Sequence, residues 1–478
     1  MTKDSKQRRI YLLDPRRYGA ETIAVTFAKT SRSPLSFRAI AEELTDARAA
    51  EFHEKWVVGY GHASVAEHAV LHLAFENISR LAVECLQSNR LGSYTEKSTR
   101  YQEWDQDGYC CPAELENHPL LEVFQSTNRM LFSLYGSLIQ PAMEHVAGLK
   151  PEMSERNLRS EAIDSIRYLL PAAALANVGL TANARVLAHA LRKMLSHPLE
   201  EVRTMGAEAL QVALQEAPTL VRYVDAIPYW EQTRAFQRRE SEKLGNHERP
   251  ALAAKRAPAV TLIQADSEAE NTILAAILYA SGDRRYSEVQ EIVHRLPADE
   301  KLRLLMGWAE DRTRHDALLR EAEMAVYTFE LTMDQGAYYE FKRHRMMTQI
   351  PQPLTAHLGY EVPLLIEEMG AGSQYRTAME QAGEAYVNLE TWNPDVASYL
   401  VPNGFRRRVL IQINLRQLAH LCELRATDMA HFAIREVALG MVEAVREVHP
   451  HLARLVRIPS EWTSGELAAD SFFRGDPE

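Results

Sequence analysis

Hydrophobic and polar positions along the chain predict a mixture of helices and short strands. Residues 69–78 form an apolar run with partial alternation, which is typical of a strand. Residues 79–86 place their apolar side chains at helical spacing, which is typical of one packed helix face. The same patterns predict a strand at residues 8–13 and helices at residues 36–56, 119–147, 183–194 and 200–216.

The pattern of the first half recurs in the second half. NARVLAH (183–189) and NLRQLAH (414–420) share five of seven residues, and each begins 12 residues after the proline of a YLxP segment. MAVYTFELTM, from Met324, likewise follows the outline of AVLHLAFENI, from Ala69. The chain is therefore interpreted as two diverged copies of one domain, at 1–235 and 258–478, joined by a polar linker at 236–257. We expect the two copies to pack as a pseudo-dimer.

Composition limits the classes of function that fit the chain. With 478 residues, 46% hydrophobic and 25% charged, the sequence is typical of a globular protein of two or more domains. A net charge of −11 argues against general binding of nucleic acid or of an anionic membrane. No apolar run is long enough to span a bilayer, and no secretory segment follows Met1.

The four cysteines form neither a disulfide framework nor a CxxC metal motif, and we therefore expect reduced thiols and a cytoplasmic location. His68 and His72 lie four residues apart with Glu67 nearby, but a third ligand is not evident. No metal site is predicted.

A polar segment at residues 90–101 carries the first candidate chemistry. Ser98 and Arg100 lie two residues apart, a combination that suits an anionic oxygen, because the guanidinium supplies charge and paired donors and the hydroxyl supplies one more. Glu96 beside them could orient an arginine or accept a hydrogen bond from a sugar hydroxyl. The alternative is a solvated loop whose charges pair with one another.

Several motifs together resemble the flavin-dependent thymidylate synthases. In the first copy these are GHASVAEH, the strand after it, and SNRLGSYTEKSTRY. The family signature is Arg-His-Arg, seven residues and then Ser, within RHRxxSxNExSxRY. The second copy carries that triplet as Arg343, His344 and Arg345, and its ELRATDMAHFAI, from Glu423, resembles the C-terminal helix of the family. The resemblance implies an α+β fold, a sheet flanked by helices, present here twice in tandem.

The two copies depart from the family pattern in complementary ways. The first keeps ExSxR as Glu96, Ser98 and Arg100, and it keeps Arg167, the arginine before the LxP proline. Its Arg-His-Arg has become Ser88-Asn89-Arg90, and Met194 stands where the family has a helix arginine.

The second copy keeps Arg-His-Arg and the helix arginine, Arg425. It has lost the ExSxR segment, and Ser398 stands where the first copy has Arg167. Two family positions fail in both copies: the glutamine before Arg-His-Arg is Cys85 or Glu340, and the histidine after Arg425 is Met429.

The resemblance implies reductive methylation of dUMP to dTMP with methylenetetrahydrofolate, reduced FAD and NADPH, at one composite site made by both copies. It implies Arg425 as the catalytic residue, beside the uracil ring. The implied dUMP-binding residues are Glu96, Ser98, Thr99, Arg100, Arg167, Arg343 and Arg425. The implied FAD-binding residues are His62, Ser64, Glu96, Arg343, His344, Arg345, Asn414, Arg416 and His420.

Two further expectations follow from the family. Its members form tetramers, so the fused chain is expected to form a homodimer that resembles them. The alternative function is that of a non-catalytic paralogue, which binds nucleotide or flavin and serves a structural or regulatory role.

Overall fold

The computed structural model of the chain describes residues 9–31, 33–55, 63–100, 102–244, 258–313, 315–427 and 430–458. Helices and antiparallel strands alternate through these residues, which confirms the α+β class. The chain divides into two compact units. The first comprises Met1–Ser98, Gly108–Glu122 and Ala173–Glu248, and the second comprises Thr99–Asp107, Val123–Ala172 and Arg249–Glu478.

The first unit is built around a three-stranded antiparallel sheet in the order β1-β3-β2. Its strands are β1 (Val70–Ser79), β2 (Ser93–Glu96) and β3 (Leu175–Asn183). Alternate residues of β1 are buried, as its sequence predicts, and they include Leu71, Leu73 and Phe75. The helices here are α1 (Ala20–Thr30), α2 (Phe37–Glu43), α3 (Asp46–His53), α4 (Arg80–Gln87), α7 (Ala184–Leu195), α8 (Glu200–Glu216) and α9 (Pro228–Leu244).

The second unit is built around a four-stranded antiparallel sheet in the order β4-β5-β7-β6. Its strands are β4 (Val260–Ala265), β5 (Val326–Asp334), β6 (Thr348–Pro351) and β7 (Arg406–Asn414). Apolar side chains of β5, β7 and two helices, α17 (Leu415–Arg425) and α18 (Phe432–Val448), contribute to its core. The remaining helices are α5 (Leu121–Leu149), α6 (Glu155–Ile166), α10 (Ala269–Ala280), α11 (Tyr286–Arg295), α12 (Ala298–Trp308), α13 (Gln335–Phe341), α14 (Leu364–Glu368), α15 (Gly372–Glu390), α16 (Pro394–Ala397), α17 (Leu415–Arg425), α18 (Phe432–Val448) and α19 (Pro450–Ala453).

The order of elements confirms the tandem repeat, because β1-α4-β2 and β3-α7-α8 recur as β5-α13-β6 and β7-α17-α18. The helix caps recur as well. Asn183 begins α7 by accepting from the backbone N–H of Val186, and Asn414 begins α17 by accepting from that of Gln417, both at 2.9 Å. The two matching heptapeptides therefore form the same strand-to-helix junction.

The two YLxP segments pair with each other inside the second unit. The backbone N–H of Ala172 donates to the carbonyl of Val401 at 3.0 Å, and the N–H of Asn403 donates to the carbonyl of Leu170 at 2.9 Å. Donor and acceptor occupy equivalent positions in the two copies, so the contact is self-complementary, as an isologous dimer contact is. This pairing brings Arg167, which precedes the first YLxP segment, into the second unit.

Two sequence predictions are wrong in detail, and a third segment, the predicted linker, begins inside a helix. Residues 9–13 form no strand, and Ile10 is 91% exposed. The helix predicted at 36–56 is two helices, because Leu44 is extended and Thr45 caps α3 through the N–H of Arg48. Residues 236–244 of the predicted linker are helical, since α9 runs from Pro228 to Leu244.

Strong helix formers such as Glu, Gln, Arg and Lys support α9 without a buried face. It is anchored near its start, where Arg234 donates to the carbonyl of Ser196 at 3.0 Å and the ring of Trp230 meets that of His189. Residues 245–257 of the predicted linker lie outside the described residues.

The four cysteines are free thiols in the structure. Burial raises the pKa of the Cys85 thiol to about 11, so it stays protonated near neutral pH. Within the described part of the chain, no helix has the length and apolar character needed to cross a bilayer.

Candidate functional site

Glu340 lies at the centre of a cluster of buried charges in the second unit. It belongs to α13, and its two carboxylate oxygens accept hydrogen bonds from two arginines. Arg167 Nη2 lies 3.2 Å from Oε1, and Arg425 Nη1 lies 3.3 Å from Oε2. The side chains of Glu340, Arg167 and Arg425 are 7%, 4% and 19% exposed. One carboxylate therefore joins an arginine kept by the first copy to an arginine kept by the second.

Arg167 is held from three further directions. It follows the last residue of α6, and its Nη1 donates to the Thr99 hydroxyl at 3.1 Å. Its backbone carbonyl accepts from Asn403 Nδ2 at 2.9 Å. Its Nε lies 3.8 Å from Asp164 Oδ1 and donates no hydrogen bond within the described residues. The guanidinium thus retains one buried N–H that has no acceptor among the described residues.

Arg100 and Asp164 form the second ion pair of the cluster. Arg100 donates from Nε at 2.8 Å and from Nη2 at 2.6 Å, which is the forked geometry of a strong arginine–carboxylate pair. The backbone carbonyl of Asp164 accepts from His431 Nε2 at 3.1 Å. Since Asp164 lies three residues before Arg167, one turn at the end of α6 presents both residues to the cluster.

Two imidazoles complete the cluster in their neutral forms. His344 Nε2 accepts from Arg425 Nε at 3.1 Å, so the ring carries its proton on Nδ1. Burial, with the charge of Arg425, lowers the pKa of His344 to about 3. Burial and then the charge of Arg167 hold the pKa of His431 well below its usual range.

The ion-paired side chains of the cluster include more arginines than carboxylates. Among its ion-paired side chains, Arg100, Arg167 and Arg425 contribute three positive charges, and Asp164 and Glu340 contribute two negative charges. An excess of cationic donors in a largely buried place suits an anionic or carbonyl-bearing ligand.

Arg343 and Arg345 flank His344 in sequence, with Arg343 exposed and Arg345 half-buried. The ring of His420 meets that of His344 at 6.0 Å, and burial lowers the pKa of His420. Asn414 serves as the cap of α17, which is the structural role that this residue type commonly has. Arg416 donates from Nε to the Leu318 carbonyl and from Nη1 to Glu323, both at 2.7 Å.

The remaining predicted residues belong to the first unit. The Glu96 carboxylate is 3% exposed, forms an ion pair with Arg80 and accepts from Gln87 Nε2 at 2.9 Å. Ser98 follows β2 in the chain, and Ser64 lies exposed in the 3-10 helix Ala63–His68. His62 and Met429 lie outside the described residues.

The structure therefore brings together Thr99, Arg100, Arg167, His344 and Arg425 within one unit. Sequence reasoning missed Asp164, His431 and Asn403, and it counted Glu340 as a loss. A signal existed for Asp164, because a carboxylate three residues before an arginine shares its helix face. The partners of Glu340 depend on tertiary structure, and sequence spacing did not indicate them.

A comparison with known proteins gives a family match over both halves of the chain. A family model described as thymidylate synthase complementing protein matches residues 13–219 and 261–451. The chain is 30% identical to a UPF0159 protein of Chlamydia muridarum, over 93% of this chain and 92% of that protein. It is 27% identical to a UPF0159 protein of Thermoplasma acidophilum, over 88% of this chain and 92% of that protein.

A flavin-dependent thymidylate synthase of Clostridium tetani is 27% identical, over 42% of this chain and 81% of that enzyme. The match thus spans most of a single-copy enzyme but less than half of this chain, as expected for a chain with two copies.

Proposed function

The chain belongs to the thymidylate synthase complementing protein family, in two tandem copies, and we propose that it is a flavin-dependent thymidylate synthase. It converts dUMP to dTMP with methylenetetrahydrofolate, FAD and NADPH. One composite site per chain, made by residues of both copies, carries the reaction. The equivalent second site has decayed. Two chains associate as a homodimer that resembles the tetramer of single-copy members.

The convergence of Arg167 and Arg425 on Glu340 carries this proposal. The first copy kept Arg167 and lost the helix arginine, whereas the second kept Arg425 and lost the equivalent of Arg167. Loss without selection would have removed arginines at random. Retained residues from both copies that lie within hydrogen-bond distance of one carboxylate are what selection for a single site would leave.

Thr99, Arg100 and Arg167 are assigned to the nucleotide phosphate. Two guanidinium groups and a hydroxyl supply charged and neutral donors for a dianion. Arg425 is assigned to the uracil carbonyl. There it stabilises the negative charge that develops as the ring is activated, because its position is already fixed by Glu340 and His344.

The residues at the end of α13 fit a flavin cofactor. Arg343 and Arg345 supply cationic donors suited to a diphosphate, and the neutral His344 between them is compatible with the edge of an aromatic ring system. FAD would supply hydride transfer when bound in its reduced form. The chain's own residues bind the cofactor and the nucleotide and orient them toward each other.

Other predicted roles remain predictions. His420, beside His344, is assigned to the flavin ring side. Asn414 caps α17, and Arg416 donates to the Leu318 carbonyl. A role for either residue at the flavin would therefore use hydrogen-bonding groups that these contacts do not occupy. The roles of His62, Ser64, Glu96 and Ser98 rest on the family motifs alone.

A non-catalytic paralogue that binds nucleotide or flavin is the second candidate. Two observations favour it. Glu340 replaces the family glutamine and already engages both key arginines, and Met429 replaces the family histidine.

A turnover assay separates the two functions. The purified chain is incubated with FAD, NADPH, methylenetetrahydrofolate and dUMP, and dTMP is quantified by chromatography. The enzyme proposal predicts dTMP that disappears when any one component is omitted. Binding of FAD and dUMP without dTMP would establish the paralogue instead. Binding of neither would contradict both functions.

A further inference from the structure

We propose that Glu340 competes with the phosphate of the ligand for Arg167, and so sets how strongly the site prefers nucleotides over nucleosides. The inference deepens the proposed function and rests on it for the identity of the nucleotide. Glu340 is then a specificity-determining residue, although the family pattern has glutamine at this position.

A carboxylate and a phosphate are chemically similar ligands for an arginine. A carboxylate and a phosphate are both anionic acceptors that bind to the same guanidinium edges. Glu340 places one oxygen on Arg167 and the other on Arg425, the two arginines assigned to opposite ends of the nucleotide. The carboxylate therefore occupies the position of an anionic ligand in the protein as it stands.

The Glu340–Arg167 ion pair is buried. Glu340 and Arg167 are 7% and 4% exposed, so solvent does little to screen a second anion that comes close to the same guanidinium. A phosphate that takes the Arg167 donor held by Glu340 must displace that carboxylate. This displacement weakens nucleotide binding, and a nucleoside, which carries no phosphate, does not require it.

Arg167 also has one hydrogen-bond donor that Glu340 does not occupy. Arg167 Nε is buried and donates no hydrogen bond to any described residue. A phosphate oxygen would accept a hydrogen bond from this unused N–H. Glu340 would then turn away from Arg167 and keep only its contact with Arg425. The arrangement therefore allows exchange of one anion for another and is not a permanent block.

The test replaces the carboxylate with its neutral isostere, Glu340→Gln, which also restores the residue type of the family. Isothermal titration compares dUMP and deoxyuridine on the wild-type chain and on the variant. We expect the affinity for dUMP to rise about tenfold or more and the affinity for deoxyuridine to change by less than about threefold, since a tenfold change corresponds to about 1.4 kcal/mol. An unchanged or weaker affinity of the folded variant for dUMP would overturn the proposal.

Glu423→Gln provides a matched control. Glu423 is a carboxylate of the same unit, 15% exposed, and it forms an ion pair with the buried Arg312. Its replacement also removes a negative charge next to an arginine. We expect it to leave the ratio of dUMP to deoxyuridine affinity at the wild-type value. A ratio raised as much as by Glu340→Gln would show a general charge effect and would contradict a specific role of Glu340.

Inorganic phosphate tests the competition without assuming the nucleotide. We expect phosphate to raise the melting temperature of Glu340→Gln more than that of the wild-type chain or of Glu423→Gln. Equal shifts would overturn the competition. If phosphate acts as expected but dUMP binds to neither protein, the proposed substrate is wrong and the role of Glu340 stands.

A crystal structure of the wild-type chain with dUMP covers the case in which Glu340→Gln does not fold. Competition requires the Glu340 carboxylate to be withdrawn from Arg167 when phosphate is bound. A complex in which phosphate contacts Arg167 while Glu340 keeps both arginines would contradict it.

Discussion

Arg167 and Arg425 donate to opposite oxygens of one carboxylate, although they come from different copies of the repeated domain. The backbone hydrogen bonds from Ala172 to Val401 and from Asn403 to Leu170 explain how Arg167 reaches this place, because they join the two YLxP segments next to it.

Arg425→Ala should abolish turnover and preserve the fold. It removes the positive charge assigned to the activated uracil, and loss of one such preorganised donor typically lowers kcat by about 100- to 1,000-fold. Glu340 keeps its contact with Arg167, so the melting temperature should fall only slightly. The measurement is the rate of dTMP formation, with Arg446→Ala, an exposed arginine that pairs with Glu443, as a control of wild-type activity. Normal dTMP formation by Arg425→Ala would remove Arg425 from the mechanism.

Asp334→Asn should raise stability near neutral pH and leave it nearly unchanged in acid. Burial raises the pKa of Asp334 to about 6, and the charge of Arg167 opposes that rise. Because the pKa is higher in the folded state, the contribution of this carboxyl to stability is present below about pH 4 and is lost as the pH rises through about 6. A shift of about two pKa units corresponds to about 3 kcal/mol.

Asparagine can still cap α13 by accepting from the N–H of Ala337, as Asp334 does at 2.7 Å. Urea unfolding at pH 4.5 and pH 7.5 measures the effect. The wild-type chain should lose stability between these two values relative to the variant. A parallel change in both proteins would show that Asp334 does not titrate in this range.

Glu96→Ala should destabilise the first unit. Glu96 and Arg80 are each 3% exposed and form an ion pair, and Gln87 also donates to the carboxylate. Removal of one member of a buried pair typically costs about 3–5 kcal/mol, because the other charge stays buried. The free energy of unfolding in urea is the measurement. Glu76→Ala, which removes an exposed carboxylate from β1 of the same sheet, should stay within about 0.5 kcal/mol of the wild type.

The double variant Arg80→Met with Glu96→Ala supplies the second arm of that test. It removes both charges, so most of the lost stability should return. If the double variant is as unstable as Glu96→Ala, packing and not charge accounts for the loss.

Regular elements with a strong local signal could be predicted from the sequence. The alternation of residues 69–78 marked β1, and residues 200–216 were predicted as the helix that became α8. The strand predicted at residues 8–13 failed for a tertiary reason, since a strand needs a neighbour for its N–H and C=O groups and sequence does not supply one. The break before α3 had a signal in Thr45, a residue type that favours helix caps.

Part of the candidate cluster was predictable as residues, but its contacts were not. The family motifs pointed to Arg167, His344 and Arg425, which the structure brings together. The carboxylates that neutralise them were not predicted, because the partner of a buried charge is decided by tertiary packing. Glu340 in particular appeared to be a loss because the motif expects glutamine there.

His344 should stay neutral throughout the pH range in which the protein is folded. Burial and the charge of Arg425 lower the pKa of His344 to about 3. Because the pKa is lower in the folded state, the neutral ring contributes to stability above the unfolded pKa of about 6.5. This contribution is lost as the pH falls through the folded pKa. Histidine NMR from pH 8 to pH 4.5, with His344→Gln to assign the signal, should show no titration of His344. The same signals in urea should titrate near 6.5. A His344 midpoint above pH 5 in the folded protein would contradict its role as an acceptor for Arg425.

The stoichiometry of FAD binding tests the single composite site most directly. The purified chain is titrated with FAD, and the visible absorption spectrum is recorded before and after the addition of dUMP. One FAD per chain, with a spectrum that shifts on addition of dUMP, is the predicted result. Two FAD per chain would show that the second site has not decayed, and no FAD under any condition would contradict the enzyme and leave nucleotide binding as the function to test.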